Sequence, residues 1–207
     1  MIRPPGLGGV AFTEAGDGDQ RLDPVSHHAV SAALGLPDGW ASVTQVHGHA
    51  VHRVDQPGLA GEGDAMWTTV SQLPLAVFTA DCFGVVLEAD DAVGVAHAGW
   101  RGASAGLVAR LRDEMTVSGH APIRAAIGPG IGACCFEIGE EVAAVFDGFT
   151  AATSWGTPSV DLSGYIVSQL AGIEVWALGQ CTRHQPGWFS HRKDQTMERL
   201  ATIGWLQ

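Results

Sequence analysis

Three apolar runs rich in β-branched residues follow one another almost without a break: Leu75–Ala80, Gly84–Ala89 and Ala92–His97. Runs this short, with acidic turn residues between the last two, read as buried strands rather than helices. A two-residue turn at Asp90-Asp91 pairs Ala89 with Ala92, and counting outward it pairs Gly84 with His97. Cys82 precedes Gly84 by two residues, so its thiol is expected beside the His97 imidazole at one end of the sheet. With that register the sequence predicts a sheet in which a thiol and an imidazole meet.

The flanking segments supply more strands than helices. Gly9–Thr13 reads as an opening strand, and Asp23–Leu34 as a helix with Asp23 as N-cap, Pro24 in the first turn and Gly35 at its exit. Ala41–Val46 and Ala50–Val54 read as two strands flanking a turn at Gly48. From Ala103 the period changes: Leu107, Leu111 and Met115 recur every four residues, predicting a helix that ends near Gly119. Ile123–Ile127 and Ile173–Leu178 are expected as strands, Glu140–Phe146 and Leu162–Leu170 as helices, and Leu200–Leu206 as a closing strand. Strands and helices do not alternate strictly, so the expected class is α+β (mixed α/β) rather than a clean doubly wound sheet. No repeat or linker divides the 207 residues, and the expectation is a single domain over 1–207.

Composition narrows the function classes. With 46% hydrophobic and 16% charged residues the chain is not of the disordered type. The formal net charge is −11 and no lysine or arginine run occurs, which argues against a nucleic-acid partner but leaves room for a local arginine pocket. Leu75–Ala80 is far too short to span a bilayer, and the first residues lack the apolar core of a signal peptide; a cytoplasmic protein without a membrane partner is expected. Nothing in the pattern sets an oligomeric state. Four cysteines make no disulfide framework: Cys134 and Cys135 are adjacent, and with Cys181 they read as buried thiols.

His47, which ends another expected strand, joins Cys82 and His97 as a third group of metal-binding type. Two histidines and one cysteine suit zinc with a fourth position open to water or substrate. The same atoms also fit a metal-free arrangement, with Cys82 as nucleophile and His97 as its base, or a buried thiol beside two unrelated histidines. The separations of 35 and 15 residues match no local zinc motif, so the pattern leaves these readings open.

Thr44-Gln45-Val46-His47-Gly48, Thr79-Ala80-Asp81-Cys82, His97-Ala98-Gly99-Trp100-Arg101-Gly102 and Ile127-Gly128-Pro129 occur in one order along the chain. Together they resemble the multicopper polyphenol oxidoreductase (laccase-like) family, also described as peptidoglycan editing factors or purine nucleoside phosphorylases. The resemblance extends from about Gly8 to Leu206. It implies an α/β/β/α layered sandwich with mixed sheets and a zinc site at His47, Cys82 and His97. It further implies zinc-dependent phosphorolysis of adenosine, inosine, guanosine or methylthioadenosine, with adenosine deamination as a companion activity. A second implied activity is hydrolytic removal of misincorporated serine from a cell-wall precursor. The laccase label would require copper-dependent phenol oxidation, which ranks last because nine histidines without clustering do not make a multicopper array. Copper can nonetheless displace zinc at such a site in a preparation. A non-enzymatic metal-binding interaction protein is the remaining alternative.

Each chemistry assigns roles to particular residues. Deamination needs a proton shuttle, for which Asp81 stands next to Cys82. Phosphorolysis needs an anion grip, for which Arg101 and the C-terminal Arg192 are candidates. Gln45, two residues before His47, is expected to share its strand face and contact substrate or the metal's open position. Trp100 is the tryptophan whose neighbours suggest a pocket wall. The expected partners are purine nucleosides and phosphate.

Overall fold

The computed structural model describes residues 1–207. In chain order its strands and helices begin with β1 (Val10–Phe12), α1 (Pro24–Leu34), β2 (Ala41–Thr44), β3 (Val51–Arg53), β4 (Gly58–Glu62) and β5 (Ala65–Thr68). The apolar block follows as β6 (Leu75–Thr79), β7 (Phe83–Glu88) and β8 (Val93–Ala98), and then α2 (Trp100–Ser104), α3 (Leu107–Val117) and β9 (Arg124–Ile127). The last part comprises α4 (Glu140–Ala143), β10 (Thr150–Ala152), β11 (Pro158–Val160), α5 (Leu162–Ser168), β12 (Glu174–Ala177), α6 (His191–Asp194) and β13 (Leu200–Gly204).

Two mixed sheets carry the fold. One has the order β1-β13-β6-β2-β4 and the other β12-β9-β7-β8-β5-β3; a small ribbon, β10-β11, stands apart. Val10, Phe12, Val43 and Val77 of the first sheet pack against Met66, Val86, Val93 and Val95 of the second, forming a dry layer between them. The outer face of the second sheet is covered by Leu107, Val108, Leu111 and Met115 of α3 with Ile166 of α5. The outer face of the first is covered by Val30 of α1, with Trp40 and Trp205. The layers are therefore α/β/β/α. Burying side chains of this size is worth roughly 1.5–3 kcal/mol each, so the period-2 alternation of β8 is energetically enforced. In that strand Val93 and Val95 face the partner sheet while Ala96 and Ala98 face the helices.

The central hairpin has the expected register. Gly84 pairs with His97 and Glu88 with Val93, and the Ala89 amide donates to the Ala92 carbonyl at 2.9 Å. Asp23 caps α1, accepting from the Val25 amide at 3.0 Å, and Gly35 closes the helix in a left-handed conformation.

Other expectations are corrected. The two strands expected on either side of Gly48 are present but shorter, as Ala41–Thr44 and Val51–Arg53, and they belong to different sheets: β2 to the first and β3 to the second. The chain between them crosses from sheet to sheet, which local polarity cannot register. The helix expected from Ala103 to Gly119 is two helices, broken at Ala105 and Gly106. The Glu140–Phe146 helix is shorter than expected, and β4, β5, the β10-β11 ribbon and α6 have no counterpart among the expected elements. No helix is long and apolar enough to cross a membrane.

Candidate metal centre and cavity

The link from β6 to β7 carries the chain from the first sheet to the second, and Asp81 and Cys82 sit in that link. His97 approaches the same end on β8, and His47 follows β2 from the opposite sheet. The donor atoms of His47, Cys82 and His97 all lie within 4.8 Å of one another, with Cys82 Sγ 3.9 Å from His47 Nε2. His97 Nδ1 is bonded to Asp64 Oδ1 at 2.8 Å, which leaves Nε2 as its free nitrogen. Gly99 makes room for the cluster: a Cβ there would stand 3.0 Å from both Cys82 Sγ and His47 Cδ2.

Asp64, which no sequence motif marks, organises the centre. It is fully buried, and its carboxylate accepts from the backbone amides of Val46, His47 and Gly48 at 3.2, 3.0 and 2.6 Å. These bonds hold the turn in which His47 has a φ of 58°, a left-handed conformation that a non-glycine residue adopts only when its surroundings impose it. One carboxylate thus fixes both the backbone of one histidine and the ring of the other, the outer support typical of metal-binding imidazoles. Its bonds to His97 and to these amides overcome the penalty of burial and keep its pKa below the usual carboxylate value.

The electrostatics follow from this packing. Burial alone would raise the Cys82 thiol, but the His97 charge and the hydrogen bonds from His47 and His97 outweigh it, and the pKa falls to about 6. Burial likewise opposes charge on His97, yet the Cys82 thiolate and Asp64 raise its pKa to about 9. Two nitrogens and a thiolate form a donor set of zinc type, for which about 3.6 Å is expected between sulfur and nitrogen ligands. All three residues line the same cavity, so a fourth coordination direction faces it.

That cavity has a volume of about 640 Å³. Arg21, Arg192 and Arg199 bring positive charge to it, and Phe78, Trp100, Phe136 and Leu162 form apolar walls. Burial and the charge of Arg21, which lines the same cavity, depress the Arg199 pKa. Asp19 fixes the Arg199 backbone, accepting its amide at 3.0 Å. Sequence reasoning finds Trp100 and Arg192 but misses Arg21, Arg199 and Phe136, which come from distant segments without a shared motif.

The other expected site residues are placed as follows. Gln45 lines the cavity, but its amide group both donates to the Phe78 carbonyl and accepts from the Phe78 amide, each at 2.8 Å. It extends the sheet like an added backbone unit, and β2 has already ended at Thr44, so alternation of faces does not relate it to His47. Asp81 lines the cavity with both oxygens engaged: Oδ1 accepts from the Thr182 and Ser190 hydroxyls at 2.7 Å each, and Oδ2 from the Arg192 amide at 2.6 Å. It ties the C-terminal segment to the metal centre. The Arg192 guanidinium donates to the Glu137 carbonyl at 2.9 Å. Arg101 is not brought together with the others: it is exposed, lies over the Trp100 ring at 4.4 Å, and is not part of the cavity wall.

Comparison with known proteins agrees with this architecture. The chain is 41% identical over 179 residues to purine nucleoside phosphorylase ORF3 of Streptomyces griseus, covering 79% of this chain and 73% of that one. It is 36% identical over 190 residues to a purine nucleoside phosphorylase of Deinococcus radiodurans, covering 84% and 74%. The fold matches the crystal structure of YlmD from Geobacillus stearothermophilus with a TM-score of 0.85 at 24% identity, covering 99% and 94% of the two chains. It matches the hypothetical protein YfiH of Bacillus licheniformis with a TM-score of 0.87, also at 24% identity, covering 96% and 92%. The sequence profile described as multi-copper polyphenol oxidoreductase laccase matches residues 13–207. The chain belongs to that family.

Proposed function

We propose that this chain is a zinc-dependent purine nucleoside phosphorylase with adenosine deamination as a companion activity. The observation that carries the reading is the joining, in one cavity, of a two-histidine, one-cysteine centre with Arg21, Arg192 and Arg199 and with aromatic walls. Relatives named as purine nucleoside phosphorylases, at 36–41% identity, add weight. About 640 Å³ falls in the range of sites that enclose a small ligand.

In phosphorolysis an oxygen of hydrogenphosphate bonds to ribose C1′ while the bond from C1′ to the purine nitrogen breaks. The electron pair leaves with the purine, and the proton of hydrogenphosphate ends on the departing base. Arg199 and Arg21 would hold the phosphate, with Arg192 as a third positive charge lining the same cavity. Phe136, Trp100 and Leu162 would enclose the base and exclude water. Asp81 acts through Thr182, Ser190 and the Arg192 backbone, as a positioning residue; its occupied oxygens favour that role over the proton shuttle expected from its place next to Cys82. A zinc ion held by His47 Nε2, Cys82 Sγ and His97 Nε2 would supply a Lewis-acidic positive charge at the cavity floor. In deamination, water adds its oxygen to the purine C6, one of its protons passes to the amino nitrogen that leaves as ammonia, and the other ends on N1.

The donor sets do not assemble a multicopper array, since only His47, His97 and His184 of the nine histidines stand in a cluster of metal-ligating groups. A second reading draws on one observation: His97 stands between Cys82 and Asp64, the order of nucleophile, base and orienting carboxylate in a cysteine hydrolase. It would serve hydrolysis of a serine-containing cell-wall precursor.

The test is to incubate the zinc-loaded protein with adenosine and inosine, with and without phosphate, and to measure free base, ribose-1-phosphate and ammonia. Phosphate-dependent base release with equimolar ribose-1-phosphate is expected. Base release that ignores phosphate overturns the phosphorylase, and inertness toward both nucleosides moves the hydrolase to first place.

A further inference from the structure

A second cluster lies apart from the cavity centre. Cys134 and Cys135, in the loop after β9, meet Cys181 and His184, in the loop after β12, and the four donor atoms lie within 4.8 Å of one another. Cys134 Sγ is 3.6 Å from Cys135 Sγ, and His184 Nδ1 is 3.5 Å from the first sulfur and 3.6 Å from the second. A tetrahedral ion with metal–sulfur bonds of about 2.3 Å and metal–nitrogen bonds of about 2.05 Å requires ligand separations of about 3.8 Å between sulfurs and about 3.6 Å between sulfur and nitrogen. The separations among Cys134, Cys135 and His184 already match this spacing, and Cys181 Sγ lies within 4.8 Å of each of them.

The backbone holds them there. Gly130 and Cys181 form a parallel bridge, with the Thr182 amide donating to the Gly130 carbonyl at 3.0 Å. The Cys135 amide donates to the Gly132 carbonyl at 2.9 Å, and the Cys181 amide to Gln185 Oε1 at 2.6 Å. The Cys181 sulfur accepts the Gly132 amide at 3.3 Å, a hydrogen bond that favours the thiolate a metal needs. Gly132 also has to be small: a Cβ there would sit 3.3 Å from Cys181 Cβ and 3.4 Å from Cys134 Sγ. Cys135 and Cys181 are buried, while His184 is exposed and closes the cluster from the solvent side.

We propose that Cys134, Cys135, Cys181 and His184 form a second metal site, a closed tetrahedral one for zinc or a cation of similar thiolate preference. Three sulfurs and one nitrogen fill the coordination sphere, so the site has no position for substrate and its role is structural. It staples the loop that carries Ile131 and Phe136 of the cavity wall to the loop whose Thr182 holds Asp81. The two centres are joined through the chain by Cys82-Asp81 on one side and Thr182-Cys181 on the other. The inference is independent of the reaction proposed above.

The experiment is zinc analysis of protein purified under reducing conditions, loaded with zinc and freed of excess, together with thiol-reaction kinetics using an aromatic disulfide reagent. Wild-type protein is expected to hold two zinc ions per chain and Cys82→Ala one. Cys82→Ala combined with Cys181→Ser and His184→Ala is expected to hold none. In the wild type, three thiols besides Cys82 should react at least tenfold faster once a strong chelator is added. Should the combined variant fail to fold, the wild-type stoichiometry and the chelator effect still decide. Cys82→Ala protein without zinc, reaction rates at Cys134, Cys135 and Cys181 that ignore the chelator, or a disulfide among these three in the reduced preparation would each overturn the site.

Discussion

The two cysteine-histidine clusters are built from the same donors toward different ends. His47, Cys82 and His97 stand at the ends of sheet strands, three ligands with one side turned to a cavity and a buried carboxylate behind them. Cys134, Cys135, Cys181 and His184 stand on two loops, four ligands around one point, and none of them lines that cavity. Chemistry needs a vacant direction and a rigid support, which strands supply. A staple needs saturation, and loops are what there is to staple.

The comparison is tested most severely by Cys82→Ala. Losing the thiolate removes the ion and the charge at the cavity floor, and kcat/KM for nucleoside should fall by roughly 10²–10³-fold or more. Measured zinc should drop by the cavity ion only. Retained phosphorolysis in this variant would show that the open cluster is not the reaction centre.

Asp64→Asn comes next. The asparagine keeps its shape but loses the charge shared by three amides and His97, so zinc affinity at the cavity centre should weaken by about 10–100-fold, the range found for outer ligands of metal sites. Competition with a chromophoric chelator measures it, and the loop cluster should be unaffected.

A third prediction concerns the metal-free protein. Cys82 has its pKa depressed from 9.0 to about 6, so its contribution to stability is present above the unfolded value and is lost as pH falls through 6. His97 has its pKa raised from 6.5 to about 9, so its contribution is present below the unfolded value and is lost as pH rises through 9. Between these limits the Cys82 contribution grows with pH while that of His97 shrinks, so in chelator the pair should leave Tm nearly independent of pH from about 6.5 to 9. Thiolate absorbance of the metal-free protein should report a midpoint near 6, and Cys82→Ala should abolish that titration.

The smallest effects separate the arginines. Arg199→Ala, in the cavity wall, should raise the KM for phosphate by about tenfold, the loss of one charge-assisted hydrogen bond. Arg101→Ala, exposed and stacked on Trp100, should change it by less than about twofold, the ordinary range for a surface substitution. Steady-state kinetics with varied phosphate distinguishes them, and the reverse order would redraw the anion site.

Much of the reaction end is legible in the sequence. The Asp90-Asp91 turn sets the pairing of Gly84 with His97, because a two-residue hairpin leaves no freedom of register once one face is buried. Cys82 follows from that by counting. Helix α1 is readable from Asp23, Pro24 and Gly35, since caps act within a few residues. Asp64 is not readable: its four partners lie 16 to 33 residues away, and an acidic residue after a glycine looks locally like any turn. The loop cluster is invisible for the same reason, with Cys135 and Cys181 46 positions apart. Read singly, those cysteines are small buried hydrophobes.

Side-chain periodicity, turn length and short motifs act locally along the chain, and they suffice for most of the core strands, the central register and the family. Stacking the two sheets settles the rest: which sheet each strand joins, that Arg21, Arg192 and Arg199 share a cavity, that Arg101 stands outside it, and that three apparently idle cysteines face one histidine. Those outcomes depend on where the chain crosses between the sheets, and that is fixed by burial of the whole apolar surface rather than by any one segment of it.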